Sequence, residues 1–438
     1  MEIFPQLVGV IFRSYLLMEV ENGNDDGMSD KPIHLDAVVE YLIIRPSEKF
    51  CLVLVLSLTG FWSTIASPIF FPMITVLSNY FHESDSVMNL VVVVYLIFQG
   101  IVPTITLNFA YSLGKRPVII VCFVIYIGAC IGIAVANKFW LLIFLRCIQA
   151  GGIAPVIAVN SGVGGDITTR AERWGFVGVL GWLQLVGNAF GALIGTGIIS
   201  RFDWRAVFYF LAIGSGFTLV IVFLCLPETS RLIVGNGSVK PKNICNIAPV
   251  LYLPSVKKRL TNDTSTLVER EKFSLWAAYR IIKSKVVLLT LLASGFQFAS
   301  WTMVLTSISV TLDRKYHYSI VHIGLVYLPQ GICSLLSSIA TGKFLNYYYK
   351  RVKSRHDEKY ANVKPSERPK LNIYITRLVV LFPGVSLMCS GLLIFGWCIQ
   401  TKQSVVSIII SSSMISIAAS CFISAGTTLL VDIYPTKG

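Results

Sequence analysis

Ten apolar runs, each long enough to cross a lipid bilayer, most limit how this chain can fold. A membrane helix needs roughly 20 largely apolar residues, and every run reaches about that length. Because lipid offers the backbone no hydrogen-bond partners, such runs must form helices. The sequence therefore predicts an all-α polytopic membrane protein. The predicted spans are Cys51–Leu77, Val87–Phe109, Pro117–Ala136, Phe139–Ser161, Gly175–Ser200, Ala206–Leu226, Val286–Leu312, Val321–Thr341, Leu378–Gln400 and Ser404–Val431.

The distribution of basic residues predicts which side of the membrane each loop occupies. The chain has 37 Lys+Arg against 23 Asp+Glu, and only 14% of its residues are charged. With the N-terminus in the cytoplasm, 30 of the 37 basic side chains fall in cytoplasmic segments, as the positive-inside rule requires. The net charge of +14 therefore reflects topology and attraction to anionic lipid, and we expect no nucleic-acid partner.

Cysteine and histidine usage argues against a metal site or a disulfide framework. Most of the ten cysteines, such as Cys122 and Cys421, lie inside predicted spans, and the five histidines are scattered. Metal-ligand spacing, nucleotide-binding loops and hydrolase motifs do not occur in the sequence. We therefore expect no metal, no cofactor and no enzymatic activity.

Polar segments divide the chain into four predicted regions. Residues 1–50 form a cytoplasmic N-terminal tail with an interfacial helix and no cleavable signal. Residues 51–227 hold a six-helix bundle, and residues 286–438 hold a second bundle of four spans. Residues 228–285 between them mix charges with turn-forming residues, which is typical of a cytoplasmic loop. The similar stretches LNFAYSLGKR and GKFLNYYYKR occupy corresponding places in the two bundles, as in transporters built from parallel halves.

Arg146 is the one formally charged residue inside the predicted spans. Gln149 follows three residues later and shares its helix face. Because charge at membrane depth is unfavourable and usually functional, one hypothesis places both residues in a polar cavity that steers a proton or an anionic group. The other has Arg146 snorkel to the membrane surface, about 10 Å along the helix at Phe139. The residues alone leave both hypotheses open.

Two further sets of residues admit both a packing and a functional interpretation. Gly187, Gly191 and Gly195 are spaced four apart, which gives a groove for a neighbouring helix and also a possible seam that opens and closes. Polar and aromatic residues in other spans are helix–helix contacts when taken singly, but together they can line one mid-membrane substrate cavity. The candidate cavity residues are Trp62, Gln184, Gln297, Trp301 and Gln330.

Several of these stretches resemble motifs of the major facilitator superfamily, specifically its fungal drug:proton antiporter-1 family. RCIQAGG resembles motif B, and the resemblance assigns proton coupling to Arg146 with Gln149. GNAFGALIG resembles the antiporter motif C, which covers the three spaced glycines. LNFAYSLGKRP resembles motif A, the cytoplasmic gating loop, whose matching residues are Gly114, Lys115 and Arg116. FDWRAVFYF followed by LPET resembles the quinidine and aminotriazole resistance branch, which includes the spore-wall dityrosine exporter.

The sequence departs from the family pattern at several positions. In motif A, Tyr111 replaces the usual aspartate and Leu107 replaces the leading glycine, so the residues of the usual gate latch are missing. In motif C the usual proline is Ala192 and the last glycine is Thr196. The predicted spans contain no carboxylate to load and release a proton, and an arginine side chain cannot be deprotonated in this role.

The resemblance implies a major facilitator fold with two further spans after the tenth, so the chain reads as an incomplete six-plus-four bundle. It also implies export of small amphipathic organic molecules by alternating access, with proton antiport, in a monomer at the plasma membrane. Two alternatives stay open. One is an exporter of an endogenous metabolite such as a dityrosine-type wall precursor, located in the prospore membrane, and the other is a remnant or membrane regulator that does not transport.

Overall fold

A computed structural model describes residues 46–167, 173–241, 243–252, 284–360, 379 and 381–433. All regular elements in these ranges are helices. In chain order they are α1 (Pro46–Ile65), a 3₁₀ helix (Pro68–Met73), α2 (Ile74–Phe81), α3 (Asp85–Leu113), α4 (Lys115–Ala134), α5 (Phe139–Ile167), α6 (Arg173–Ile199), α7 (Arg205–Cys225), α8 (Arg231–Val234), 3₁₀ helices at Ile244–Asn246 and Pro249–Tyr252, α9 (Lys285–Arg314), α10 (Ile320–Lys359), α11 (Leu381–Gln400) and α12 (Val405–Ile433).

The predicted number of spans is confirmed for the described part of the chain. Ten segments there are long and apolar enough to cross a membrane. The first predicted span is less regular than expected, because the helix is interrupted after Ile65 and resumes at Ile74. Pro68 and Pro72 cause this interruption, since proline provides no backbone N–H for the helical ladder. The fully buried 3₁₀ turn between the two helices places Phe70 inside the protein.

The described residues divide into two compact units, the first within residues 46–252 and the second within residues 284–433. In the first unit, α1 packs along α6, α5 packs between α3 and α4, and α4 also packs on α7. Its core holds fully buried aromatic side chains, among them Tyr95, Phe123 and Tyr126. Large apolar side chains such as Trp140 and Phe217 lie on the outside, 76% and 67% exposed. This reversal of the usual surface composition suits a lipid environment.

The second unit is organised around α12, which contacts α9, α10 and α11. Small polar side chains join these helices. The hydroxyls of Ser334 on α10 and Ser420 on α12 lie 2.7 Å apart, and the Ser337 hydroxyl donates to the Ile417 carbonyl. Short side chains let the helices approach closely and supply hydrogen bonds where apolar surface gives no driving force for association.

Part of the predicted organisation lies outside the described residues. The N-terminal tail before residue 46, with its interfacial helix, lies outside them, as do residues 253–283 of the predicted central loop. The boundaries of the four predicted regions stay predictions. Residues 228–252 of the predicted central loop are described apart from residue 242, and their short helices contact α4 and α7 of the first unit.

Candidate functional site

Arg146 lies in a closed cluster where α3, α4 and α5 meet. Its side chain is 1% exposed, and one terminal nitrogen donates a 2.6 Å hydrogen bond to Gln149 Oε1. The guanidinium carbon lies 4.1 Å from the centre of the Phe70 ring and 4.3 Å from that of Tyr95. Such cation–π contacts are each worth about 2 kcal/mol or more when desolvated. The guanidinium is thus held inside the unit and does not snorkel to its surface.

The cluster extends from Gln149 to α4. Gln149 is fully buried, and its amide nitrogen lies 3.1 Å from the sulfur of Cys130. Gly152, one turn further along α5, lets the two helices come this close, because a Cβ there would lie 2.8 Å from the backbone nitrogen of Tyr126. The sequence pattern pairs Arg146 with Gln149 on one helix face but does not indicate the partners from other helices. The sequence offers one signal for Tyr95, namely a side chain with a polar hydroxyl inside the otherwise apolar run VVVVYLIF.

The three spaced glycines of α6 form the surface on which α1 and its 3₁₀ extension pack. A Cβ on Gly187 would lie 2.5 Å from the Thr64 hydroxyl, and one on Gly195 would lie 2.7 Å from the Ile69 carbonyl oxygen. The central glycine, Gly191, faces Pro68 at 3.0 Å. The groove expected from the sequence is therefore filled by a neighbouring helix of the same unit.

Gly114 and Glu228 form the centre of the loop between α3 and α4. Gly114 has a φ of +109°, and a Cβ there would lie 2.4 Å from a Glu228 carboxylate oxygen, so glycine is required. The buried carboxylate accepts the backbone N–H groups of Lys115 and Arg116, at 3.0 and 3.1 Å. It also accepts those of Thr229 and Ser230. Glu228 thus caps the N-terminus of α4 and shapes its own turn.

Arg116 joins this loop to the end of α7. Its side chain is 2% exposed and donates to the carbonyls of Phe223 and Leu226, both at 2.8 Å, and to that of Cys245. A guanidinium at a helix C-terminus satisfies carbonyls that lack helical partners. Asn246 completes the contact by donating to the Leu113 carbonyl at 3.2 Å.

Lys115 points to a different carboxylate. Its ammonium lies 2.5 Å from Asp166 at the end of α5, and both side chains are partly exposed. Motif A lacks its usual aspartate, since Tyr111 occupies that position. The loop nevertheless has acidic partners. Glu228 and Asp166 supply two carboxylates within the same unit. Sequence reasoning gave neither of them a partner, because they lie 113 and 51 residues from Lys115.

The predicted cavity residues divide between the two units. In the first, the Trp62 indole donates to the Thr218 hydroxyl at 2.7 Å, and Gln184 packs against Gly60. In the second, the Trp301 indole donates to Ser416 at 3.0 Å, while Gln330 is buried with an unpaired side-chain oxygen. Gln297 on α9 is half-buried.

Ten membrane-length helices in the described residues, arranged in two helical units, define a polytopic membrane protein. The family model described as Major Facilitator Superfamily matches residues 52–360. The chain therefore belongs to the major facilitator superfamily, and it is a transporter and not an enzyme.

The resemblance to fungal drug:proton antiporters is confirmed by named relatives. The chain is 50% identical to MFS antiporter QDR2 of Candida albicans over 404 residues, which are 92% of this chain and 80% of the relative. It is 38% identical to quinidine resistance protein 1 of Saccharomyces cerevisiae over 422 residues, 91% of this chain and 75% of the relative.

Solved structures confirm the fold. The xylose transporter XylE from E. coli matches with a TM-score of 0.59 at 16% identity, over 89% of this chain and 85% of that one. A bacterial homolog of the human lysosomal transporter Spinster matches with a TM-score of 0.58, also at 16% identity, over 88% and 75%. Likeness at this level of identity establishes the major facilitator fold alone.

Proposed function

We propose that this protein exports small amphipathic organic molecules, of the kind met as drugs and xenobiotics, by proton-coupled antiport with alternating access. The main support is its 50% identity to a protein named as an antiporter, together with relatives named for multidrug transport and quinidine resistance. We place it as a monomer in the plasma membrane, with its N-terminus in the cytoplasm. The positive-inside distribution of basic residues supports this orientation.

The proposed roles follow the three motifs and the polar and aromatic residues of the other spans. Arg146 and Gln149 form the polar centre of the first unit and take part in proton coupling. The α6 glycines keep α1 and α6 in close contact, and Gly114, Lys115 and Arg116 form the cytoplasmic gating loop. The proposed substrate contacts are Trp62, Gln184, Gln297, Trp301 and Gln330.

Transport assays in sealed vesicles test the proposal directly. Inside-out plasma-membrane vesicles with and without the protein would be incubated with labelled quinidine under an imposed pH gradient, acidic inside. We expect accumulation that depends on both the protein and the gradient, and that disappears when a protonophore is added. Equal accumulation with and without the gradient would exclude proton coupling. Absence of any protein-dependent flux for a panel of cationic drugs would exclude drug export.

The metabolite-exporter alternative is separated by a different measurement. Deleting the gene should raise sensitivity to quinidine and leave spore walls intact if the protein exports drugs. Unchanged drug sensitivity together with a defective wall would favour export of a wall precursor from the prospore membrane.

A further inference from the structure

Two buried polar atoms at Arg146, the guanidinium Nε and the Tyr95 hydroxyl, have no hydrogen-bond partner. A third, the Tyr126 hydroxyl, has only the sulfur of Cys130, which is a weak acceptor. Tyr95 lies against the guanidinium, with its ring centre 4.3 Å from the central carbon. Tyr126 lies one helical turn before Cys130, which Gln149 contacts, so it faces the same junction of α3, α4 and α5. Each of the three groups can donate a hydrogen bond.

The charge of Arg146 is also uncompensated. Within the described residues it has a hydrogen bond to an amide and contacts with two aromatic rings, but no carboxylate partner. A buried cation without a counter-charge is strongly unfavourable, and ring faces offset only part of that penalty. Lys115 and Arg116 make the contrast clear, because both have acidic or carbonyl acceptors around them.

We infer that this cluster binds one small inorganic anion of the chloride type beside the guanidinium. Uncharged water could satisfy the three donors, but it would leave the positive charge of Arg146 without a partner. A carboxylate on an organic molecule is disfavoured by closure, since Phe70, Tyr95, Tyr126 and Arg146 are each at most 1% exposed. The inference concerns binding to the resting protein and is independent of which organic molecule is exported.

Anion-dependent stability of the purified full-length protein tests this site. The midpoint of thermal unfolding would be followed by intrinsic fluorescence while sodium gluconate is replaced by sodium chloride at constant ionic strength. The wild-type midpoint should rise and saturate with chloride, and equilibrium dialysis with radiolabelled chloride should give one ion per chain. A midpoint that does not respond to the replacement would overturn the inference.

Variants locate the site within the cluster. Tyr126→Phe removes one donor and should raise the half-saturating chloride concentration by about tenfold, while Arg146→Gln should abolish the saturable response. Tyr327→Phe is a matched control, because this buried tyrosine lies in the second unit and its hydroxyl already donates to the Leu305 carbonyl. Its chloride response should equal that of the wild type.

Each variant result decides the question. Should Arg146→Gln fail to fold, Tyr126→Phe and Tyr95→Phe still carry the test through their half-saturating concentrations. An unchanged chloride response in both tyrosine variants would mean that the ion binds elsewhere or that water fills the cluster. That outcome would refute the anion site under both explanations. It would not affect the drug-export proposal, which is judged by vesicle flux.

Discussion

At the residue scale, the environment of Arg146 depends on the shape of its side chain as well as its charge. A guanidinium is planar, so it can lie close to the Phe70 and Tyr95 rings while it donates a hydrogen bond to Gln149. An ammonium group is a compact point charge and cannot do both. The contacts therefore select arginine over lysine at this position.

Arg146→Lys should reduce transport while leaving the protein folded. Lysine keeps a cation beside the rings but loses the planar fit and the 2.6 Å bond to Gln149. A charged hydrogen bond is worth on the order of 1–2 kcal/mol, so we expect a fall in flux of about tenfold. Initial rates in the vesicle assay, normalised to the amount of protein, measure this. Gln149→Asn serves as the comparison, because it keeps the arginine and shortens only its partner. Full transport by Arg146→Lys would show that positive charge alone is sufficient.

Glu228 is the second residue whose contacts lead to a sharp prediction. Its carboxylate accepts four backbone N–H groups, so Glu228→Gln replaces an acceptor-only group by one that also donates. We expect destabilisation of about 2 kcal/mol, measured by thermal unfolding in detergent. Glu358→Gln is the matched control, because Glu358 is exposed and accepts a bond from Ser354. Equal stability of the two variants would contradict the capping role.

At the element scale, the contact between α1 and α6 depends on the absence of side chains at the three spaced glycines. The nearest atom to a Cβ on Gly195 is the Ile69 carbonyl oxygen, and backbone cannot move aside as a flexible side chain can. Ala192 and Thr196 lie beside this contact, and the Thr196 hydroxyl donates to the Ala192 carbonyl at 3.1 Å. The helix therefore continues through the position where proline is usual in the motif.

Gly195→Ala and Gly197→Ala should have opposite effects on stability. The first forces a methyl group against backbone and should destabilise the protein by about 1–3 kcal/mol. The second has no atom within 4 Å of the new Cβ and gains helix propensity, up to about 1 kcal/mol. Unfolding midpoints of the two purified variants, measured side by side, test the difference. Similar midpoints would indicate that α1 and α6 separate readily.

Elements were predictable from the sequence where a single periodic signal sets them, and contacts between distant elements were not. Apolar length alone located the ten spans, because lipid enforces helices. The break at Pro68 was visible as proline in a span, but its consequence, burial of Phe70 near Arg146, depends on how α1 packs. The link from Gly114 to Glu228 spans more than one hundred residues, and local patterns carry no information about it.

At the scale of the whole molecule, the segment after α7 (residues 226–252, apart from residue 242) packs on the first unit. Ala248 in this segment is fully buried, and its neighbours Cys245 and Asn246 bond to the start of α4 and the end of α3. The Cys245 side chain itself is exposed. Because only the backbone of Cys245 accepts the Arg116 bond, its thiol can be altered or labelled without breaking that contact.

Labelling of Cys245 tests the orientation of the protein in its membrane. A membrane-impermeant maleimide should react with this thiol in inside-out vesicles and not in intact cells, because the proposed topology places it in the cytoplasm. Cys245→Ser supplies the background from the other nine cysteines, of which Cys122, Cys130 and Cys398 are buried. Labelling in intact cells that disappears in Cys245→Ser would reverse the assigned orientation.

The attachment of the segment after α7 also decides where two related transporters can be joined into a chimera. Lys115, Arg116 and Asp166 lie on one side of any crossover placed within α6, while Glu228 and Cys245 lie on the other. Such a hybrid would have to match a loop from one parent to acceptors from the other. A junction placed after Tyr252 keeps every one of these partners from the same parent.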